Sequence, residues 1–245
     1  ALGLGLAVQG SLTAGLAASL LFATAPWAVM YSRKVWAQDL LPCFTVVLMG
    51  CAVRLVRDRR PVFAGAFAVI LAIMVQIHYS ALALAAVGLA LMVMVRTRRV
   101  YAGWGVGVAL AALSFAPFLV YQARRGFEDV SKATDVAQGR RTGRAGVVET
   151  FRHLRNLVSY NWFRRYVVGD HSRHAFDAQV TAPQRVPVAA ACLFGAGVLA
   201  AACQARRRPE AVLLLVWLAA GMLLWSLAPS VAHYQIVALP APFMA

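Results

Sequence analysis

Long apolar runs recur from one end of the chain to the other, and they dictate what it can fold into. They cover roughly 2–25, 40–56, 62–77, 80–95, 100–121, 186–205 and 211–228, and a further run opens near 235. A water-soluble domain carries about a quarter charged residues. Here charged residues make up 13% and hydrophobic ones 61%. Soluble globular, disordered and disulfide-framework classes are excluded on that ground. In hydrocarbon every backbone N–H and C=O must bond within the protein, which leaves helices or a closed barrel. Barrel strands alternate polar and apolar residues, and these runs do not. The expected fold is all-α, a polytopic transmembrane helical bundle with about seven to eight spans.

Residues 62–95 need a decision. One helix of that length would measure about 51 Å, too long for a single crossing of about 30 Å. Gln76, His78, Tyr79 and Ser80 interrupt the run at its middle, so two short spans joined by a hairpin are expected. Charge supports the hairpin. It brings Arg54, Arg57, Arg59 and Arg60 to the same side as Arg96, Arg98 and Arg99, and continued alternation adds Arg206, Arg207 and Arg208. Short loops on the other side carry only Arg33 and Lys34. Basic loops stay cytoplasmic, so the opposite face is extracytoplasmic. The cation excess, 24 Lys and Arg against 9 Asp and Glu, would suggest nucleic acid in a soluble chain. Clustered between apolar runs it reads as an orientation signal, and no nucleic-acid partner is expected.

Three parts follow. Residues 1–121 form transmembrane helices with external segments 26–39 and 78–80. Residues 122–185 form an extracytoplasmic loop, and 186–245 return to transmembrane helices. Within the loop, Val147, Phe151, Leu154, Val158 and Trp162 recur every three or four residues among arginines, the pattern of a helix lying on the membrane surface. Asp170, His171, His174 and Asp177 could hold a metal, but their Gly-containing surroundings favour a solvated turn. Cys43, Cys51, Cys192 and Cys203 have no metal-ligand spacing and are expected to pack as small residues. Gly103, Gly105 and Gly107 suit close helix packing. Because Ala1 already lies in an apolar run and the last run has too few residues to cross, the chain is expected to be an internal piece of a longer protein.

The polar residues of the external face are the candidates for chemistry. Tyr31, Arg33, Lys34 and Asp39 lie in 26–39, His78 and Tyr79 in the hairpin, and His233 and Tyr234 before the final run. Asp39 either starts the helix that follows, favoured by its dipole, or presents a carboxylate to a substrate. His78 either bonds Gln76 or a backbone carbonyl, or contacts a phosphate or metal. Tyr234 either anchors at the interface or, with His233, meets a lipid phosphate. No phosphate-binding glycine loop, hydrolase elbow or zinc-protease motif occurs.

Tyr31-Ser32-Arg33 followed by Asp39, the His78-Tyr79 turn, and His233-Tyr234 followed by Pro240 resemble the external segments of membrane-embedded GT-C glycosyltransferases. Those enzymes use polyprenyl-phosphate-linked sugars, and the group includes aminoarabinose transferases and protein O-mannosyltransferases. The resemblance extends over most of 20–121 and 210–245. It implies a helical bundle in a bacterial inner or plasma membrane, with the active site facing outward. It implies a polyprenyl-phosphate sugar as partner, surrounding membrane lipids, and direct displacement at the anomeric carbon with inversion. It also implies a catalytic carboxylate in a first external loop, upstream of Ala1, with Asp39 organising the site. Tyr31, Arg33, Lys34, His78, Tyr79, His233 and Tyr234 then bind substrate, and a divalent metal is a candidate cofactor on Asp39 and His78. The competing class is a transporter or lipid flippase, which would carry ionisable residues near the bilayer midplane. The middles of the expected spans carry almost none.

Sidedness is open to a direct check. In a background freed of native cysteines, Arg33→Cys and Arg207→Cys are expected to react with an impermeant maleimide from opposite sides of the membrane. Labelling from one side would overturn the topology.

Overall fold

The computed structural model describes residues 11–24, 37–128, 131 and 185–227, and all regular structure among them is helical. The order is α1 (Leu12–Thr24), a 3₁₀ turn (Ala37–Leu40), α2 (Leu41–Asp58), α3 (Pro61–Ile77), a second 3₁₀ turn (Tyr79–Leu84), α4 (Ala85–Met94), α5 (Arg98–Arg124), α6 (Arg185–Gln204) and α7 (Pro209–Leu227). The apolar runs and the helices coincide closely. Proline marks several starts: Pro61 and Pro209 each open a helix, where a missing N–H costs nothing. At α5 the start is capped instead, with Val100 N–H donating to Thr97 Oγ1 at 3.3 Å.

Helices α2, α3, α4 and α7 pack together at the centre; α5 lies against α3, and α6 against α7. On α2 the inward face repeats every three or four residues: Leu41, Thr45, Leu48, Ala52 and Leu55 are all fully buried. Thr45 returns its hydroxyl to the Leu41 carbonyl at 2.7 Å, so the one polar side chain in that stripe is satisfied. Phe67, Met74, Leu84, Leu91, Leu213 and Trp217 complete the core. The outer surface is apolar as well, with Leu16, Leu20, Leu110, Leu113 and Leu119 at least half exposed.

The tightest contact joins α3 and α5, which run parallel. A methyl group on Gly103 would lie 2.2 Å from the Pro61 carbonyl oxygen, and one on Gly107 would lie 2.6 Å from that of Gly65. Only hydrogen fits at both places, so the two backbones touch. Further along, Gln76 Nε2 donates to Ser114 Oγ at 3.0 Å, and that hydroxyl donates to the Ala111 carbonyl at 2.7 Å. Beside the seam Trp104 meets Phe67 edge to face, with ring centroids 5.5 Å apart.

The structure departs from expectation at several points. Among the described residues one helix, Arg98–Arg124, is long and apolar enough to cross a membrane, against seven to eight expected spans. Pro61 and the break at His78 divide residues 62–95 into the shorter helices α3 and α4, and the 18 residues of α2 include Arg54, Arg57 and Asp58. The hairpin is wider than residues 78–80: its return begins with a 3₁₀ turn and only ten residues of α4 are α-helical. Three cysteines are not core packing residues. Cys43, Cys192 and Cys203 are exposed on outer helix faces, and Cys51 is half-buried. The expected surface helix of 147–165 lies outside the described residues.

Glycines of the seam and of the open face should respond oppositely. Gly103→Ala and Gly107→Ala are expected to destabilise the protein by about 1–3 kcal/mol through overpacking. At Gly105 an added methyl group would meet nothing within 4 Å, so Gly105→Ala should stabilise by about 0.5–1 kcal/mol. Thermal unfolding in detergent distinguishes the two.

Candidate functional site

Helix direction decides which polar residues meet. Helix α2 carries Asp39 just before its first turn and Arg57 in its last. Eighteen residues separate those ends by about 27 Å. Helix α3 packs against α2 and returns to end at His78. Asp39 and His78 therefore lie at one end of this helix pair, and Arg57, Arg59 and Arg60 at the other.

Three contacts gather the basic loops at the far end. Arg57 Nε donates to Glu210 Oε1 at 2.6 Å, joining the last turn of α2 to the first of α7. Pro61 abuts Gly103. Tyr101 donates its hydroxyl to the Met92 carbonyl at 3.1 Å, joining the start of α5 to the end of α4.

Asp39 sits in the 3₁₀ turn Ala37–Leu40 and is half-buried. It does not cap α2: the cap position is Leu40, and no side chain bonds the first turn there. Proline at position 42, in that turn, removes one of the amides a cap would serve.

His78 is held by its own turn. Ser80 N–H donates to His78 Nδ1 at 3.2 Å, and Ser80 Oγ lies 2.7 Å from the same nitrogen. Ser80 is fully buried. A nitrogen that accepts from a backbone amide carries no proton, so in the neutral ring Nε2 bears the hydrogen and acts as a donor. Tyr79 stacks on the imidazole with centroids 4.6 Å apart and is half exposed. Gln76, one of the two partners expected for His78, bonds Ser114.

The same end holds residues that the sequence pattern assigns to the long loop. Ser114 is level with Gln76, and α5 runs on to Arg124, about 15 Å further. Pro117 stands near the base of this extension. Beyond it Arg125 donates to the Tyr121 hydroxyl, lies over that ring, and pairs with Glu128 at 3.6 Å. The polar residues after position 121 mask the helical continuation. The sign of it is the apolar spacing of Phe118 and Tyr121, with Gln122 facing inward and buried.

Tyr31, Arg33, Lys34, His233 and Tyr234 lie outside the described residues. As to a metal, Asp39 and His78 supply two donors. No group of three or more His, Cys, Asp or Glu residues suited to an ion occurs among the described residues. With Nδ1 engaged by an amide and Nε2 protonated, His78 is set up as a hydrogen-bond donor and not as a ligand, so a metal site on this pair does not fit. No protein-family model matches the chain, and no curated protein or solved structure matches it.

His78 has a structural role that can be separated from any chemical one. His78→Ala should cost about 1 kcal/mol by removing the acceptor for Ser80 N–H. His78→Asn, whose side-chain oxygen can take that bond, should restore the melting temperature. Equal melting of both variants would refute the capping role.

Proposed function

We propose that this chain belongs to a GT-C-type glycosyltransferase, a multi-pass membrane protein that moves a sugar from a polyprenyl-phosphate donor to a cell-envelope acceptor on the extracytoplasmic side. One observation carries the reading: helix direction puts Asp39, the His78–Ser80 turn and Tyr121 toward the end of the bundle opposite ten exposed arginines. A lipid-linked donor presents its phosphate at one membrane face, and an enzyme acting on it needs its polar groups there. A transporter would distribute them along a path through the bilayer. The apolar exterior of α1 and α5 supports contact with lipid. Helix α3, with 17 residues, falls at the short limit of a span.

In this reading the leaving phosphate gains negative charge as the anomeric bond breaks. Preorganised donors stabilise that charge most where water is scarce. His78 Nε2–H is such a donor, and the bond to Ser80 aims it. Arg33 and Lys34 add charge, while Tyr31, Tyr79, His233 and Tyr234 complete the donor site. Asp39, fixed by the short turn ahead of α2, orients the acceptor hydroxyl or amine. Inversion follows from attack opposite the leaving phosphate.

Transfer from a radiolabelled polyprenyl-phosphate sugar, assayed with the intact protein in membranes, tests the proposal. Asp39→Asn is expected to reduce transfer about 100-fold or more, with yield and melting temperature unchanged. His78→Asn, which keeps the turn, should also lose activity. Undiminished transfer in Asp39→Asn would remove its assigned role. Movement of lipid phosphate across the bilayer without sugar transfer would favour the flippase.

A further inference from the structure

We propose that the arginine-rich end of the bundle is a binding surface for anionic phospholipid headgroups. Arg54, Arg57, Arg59, Arg60, Arg96, Arg98, Arg99, Arg206, Arg207 and Arg208 come from three separate helix junctions, and all ten are exposed. The Arg57–Glu210, Pro61–Gly103 and Tyr101–Met92 contacts draw those junctions into one surface. Only two carboxylates answer them among the described residues at that end. Asp58 pairs with Arg54 at 3.4 Å, and Glu210 is buried beneath Arg57. An excess of like charge held together in this way attracts anions from outside the protein. Every one is a guanidinium, whose planar fork meets two phosphate oxygens at once. If the bundle spans a bilayer, the anions at this depth are lipid phosphates, which form a continuous layer there and attract juxtamembrane arginines.

Arg59 gives a second, independent indication. It ends α2 in the left-handed region, φ 51° and ψ 28°, with its N–H donating to the Leu55 carbonyl. Glycine is the residue that adopts this cap without strain. An arginine here accepts backbone strain and keeps an exposed guanidinium at the α2–α3 junction. Strain of this kind is characteristic of positions that serve a ligand.

The inference rests on the membrane-spanning reading and not on sugar transfer, so Asp39→Asn should leave lipid preference intact. The intact protein is reconstituted in phosphatidylcholine nanodiscs containing a minor fraction of spin-labelled phosphatidylglycerol. The relative association of phosphatidylglycerol is then read from the immobilised spectral component. Wild type should prefer it over phosphatidylcholine, and high salt should weaken that preference. Arg59→Gly is the informative variant: it should raise the melting temperature while lowering the preference up to about fivefold at low salt. Combining it with Arg60→Gln, Arg98→Gln and Arg99→Gln should bring the preference close to one. No preference in wild type, or full preference in the combined variant, would overturn the proposal. So would displacement of the lipid by millimolar inorganic phosphate, which would mark a site for soluble phosphate instead.

Discussion

An ion pair between Arg57 and Glu210 joins the two halves of the described chain at one end of their shared core. Its partners are 153 residues apart, and the carboxylate is buried. A buried charge is tolerable only when paired, so the first turn of α7 must sit against the last turn of α2. That fixes α7 antiparallel to α2. The rest of α7 then runs along the core and meets the 3₁₀ turn after His78. A contact at the arginine-rich end thus determines what surrounds the candidate site at the other end. Removing Arg57 would leave the buried Glu210 carboxylate without this cation, whereas removing Glu210 would leave an exposed guanidinium in water.

Separation of charge along the bundle follows from this arrangement. One end carries ten guanidinium groups; the other holds an imidazole, two phenols, the carboxylates of Asp39 and Glu128, and the guanidinium groups of Arg124 and Arg125. In the setting proposed, the first end faces lipid phosphates that do not react, and the second faces the phosphate that leaves. The two ends ask different things of their donors. Exposed arginines can adapt to a fluid headgroup layer, whereas His78 is constrained by Ser80 and Tyr79 so that its donor points one way.

Much of this order is legible in the residues. Apolar run length locates the helices, and the polar cluster Gln76, His78, Tyr79 and Ser80 locates the reversal. What escapes is whatever depends on a neighbour distant in sequence. Gly103, Gly105 and Gly107 look equivalent along the chain, yet two face α3 and one faces outward, because alternate residues of a helix point in different directions. Gln76 finds Ser114, 38 positions away, which no local pattern announces. Asp39 looks like a helix cap by type and position, but a tight turn and a proline intervene. The extension of α5 past Tyr121 is hidden by polar side chains that end an apolar run without ending the helix. For the site, which polar residues share an end of the bundle can be read from the alternation of the runs; the protonated nitrogen of His78 cannot, since it depends on which atom of Ser80 approaches it.

The glycine seam has a consequence for how α3 and α5 can slide. Gly103 and Gly107 are one helical turn apart, as are Pro61 and Gly65. Displaced by a turn one way, α5 would bring Ala111 to the place of Gly107, and the other way Arg99 to the place of Gly103. Neither side chain has room where only hydrogen fits, so the seam has a single notch. The Gln76–Ser114 bond three turns further on closes in that register and no other.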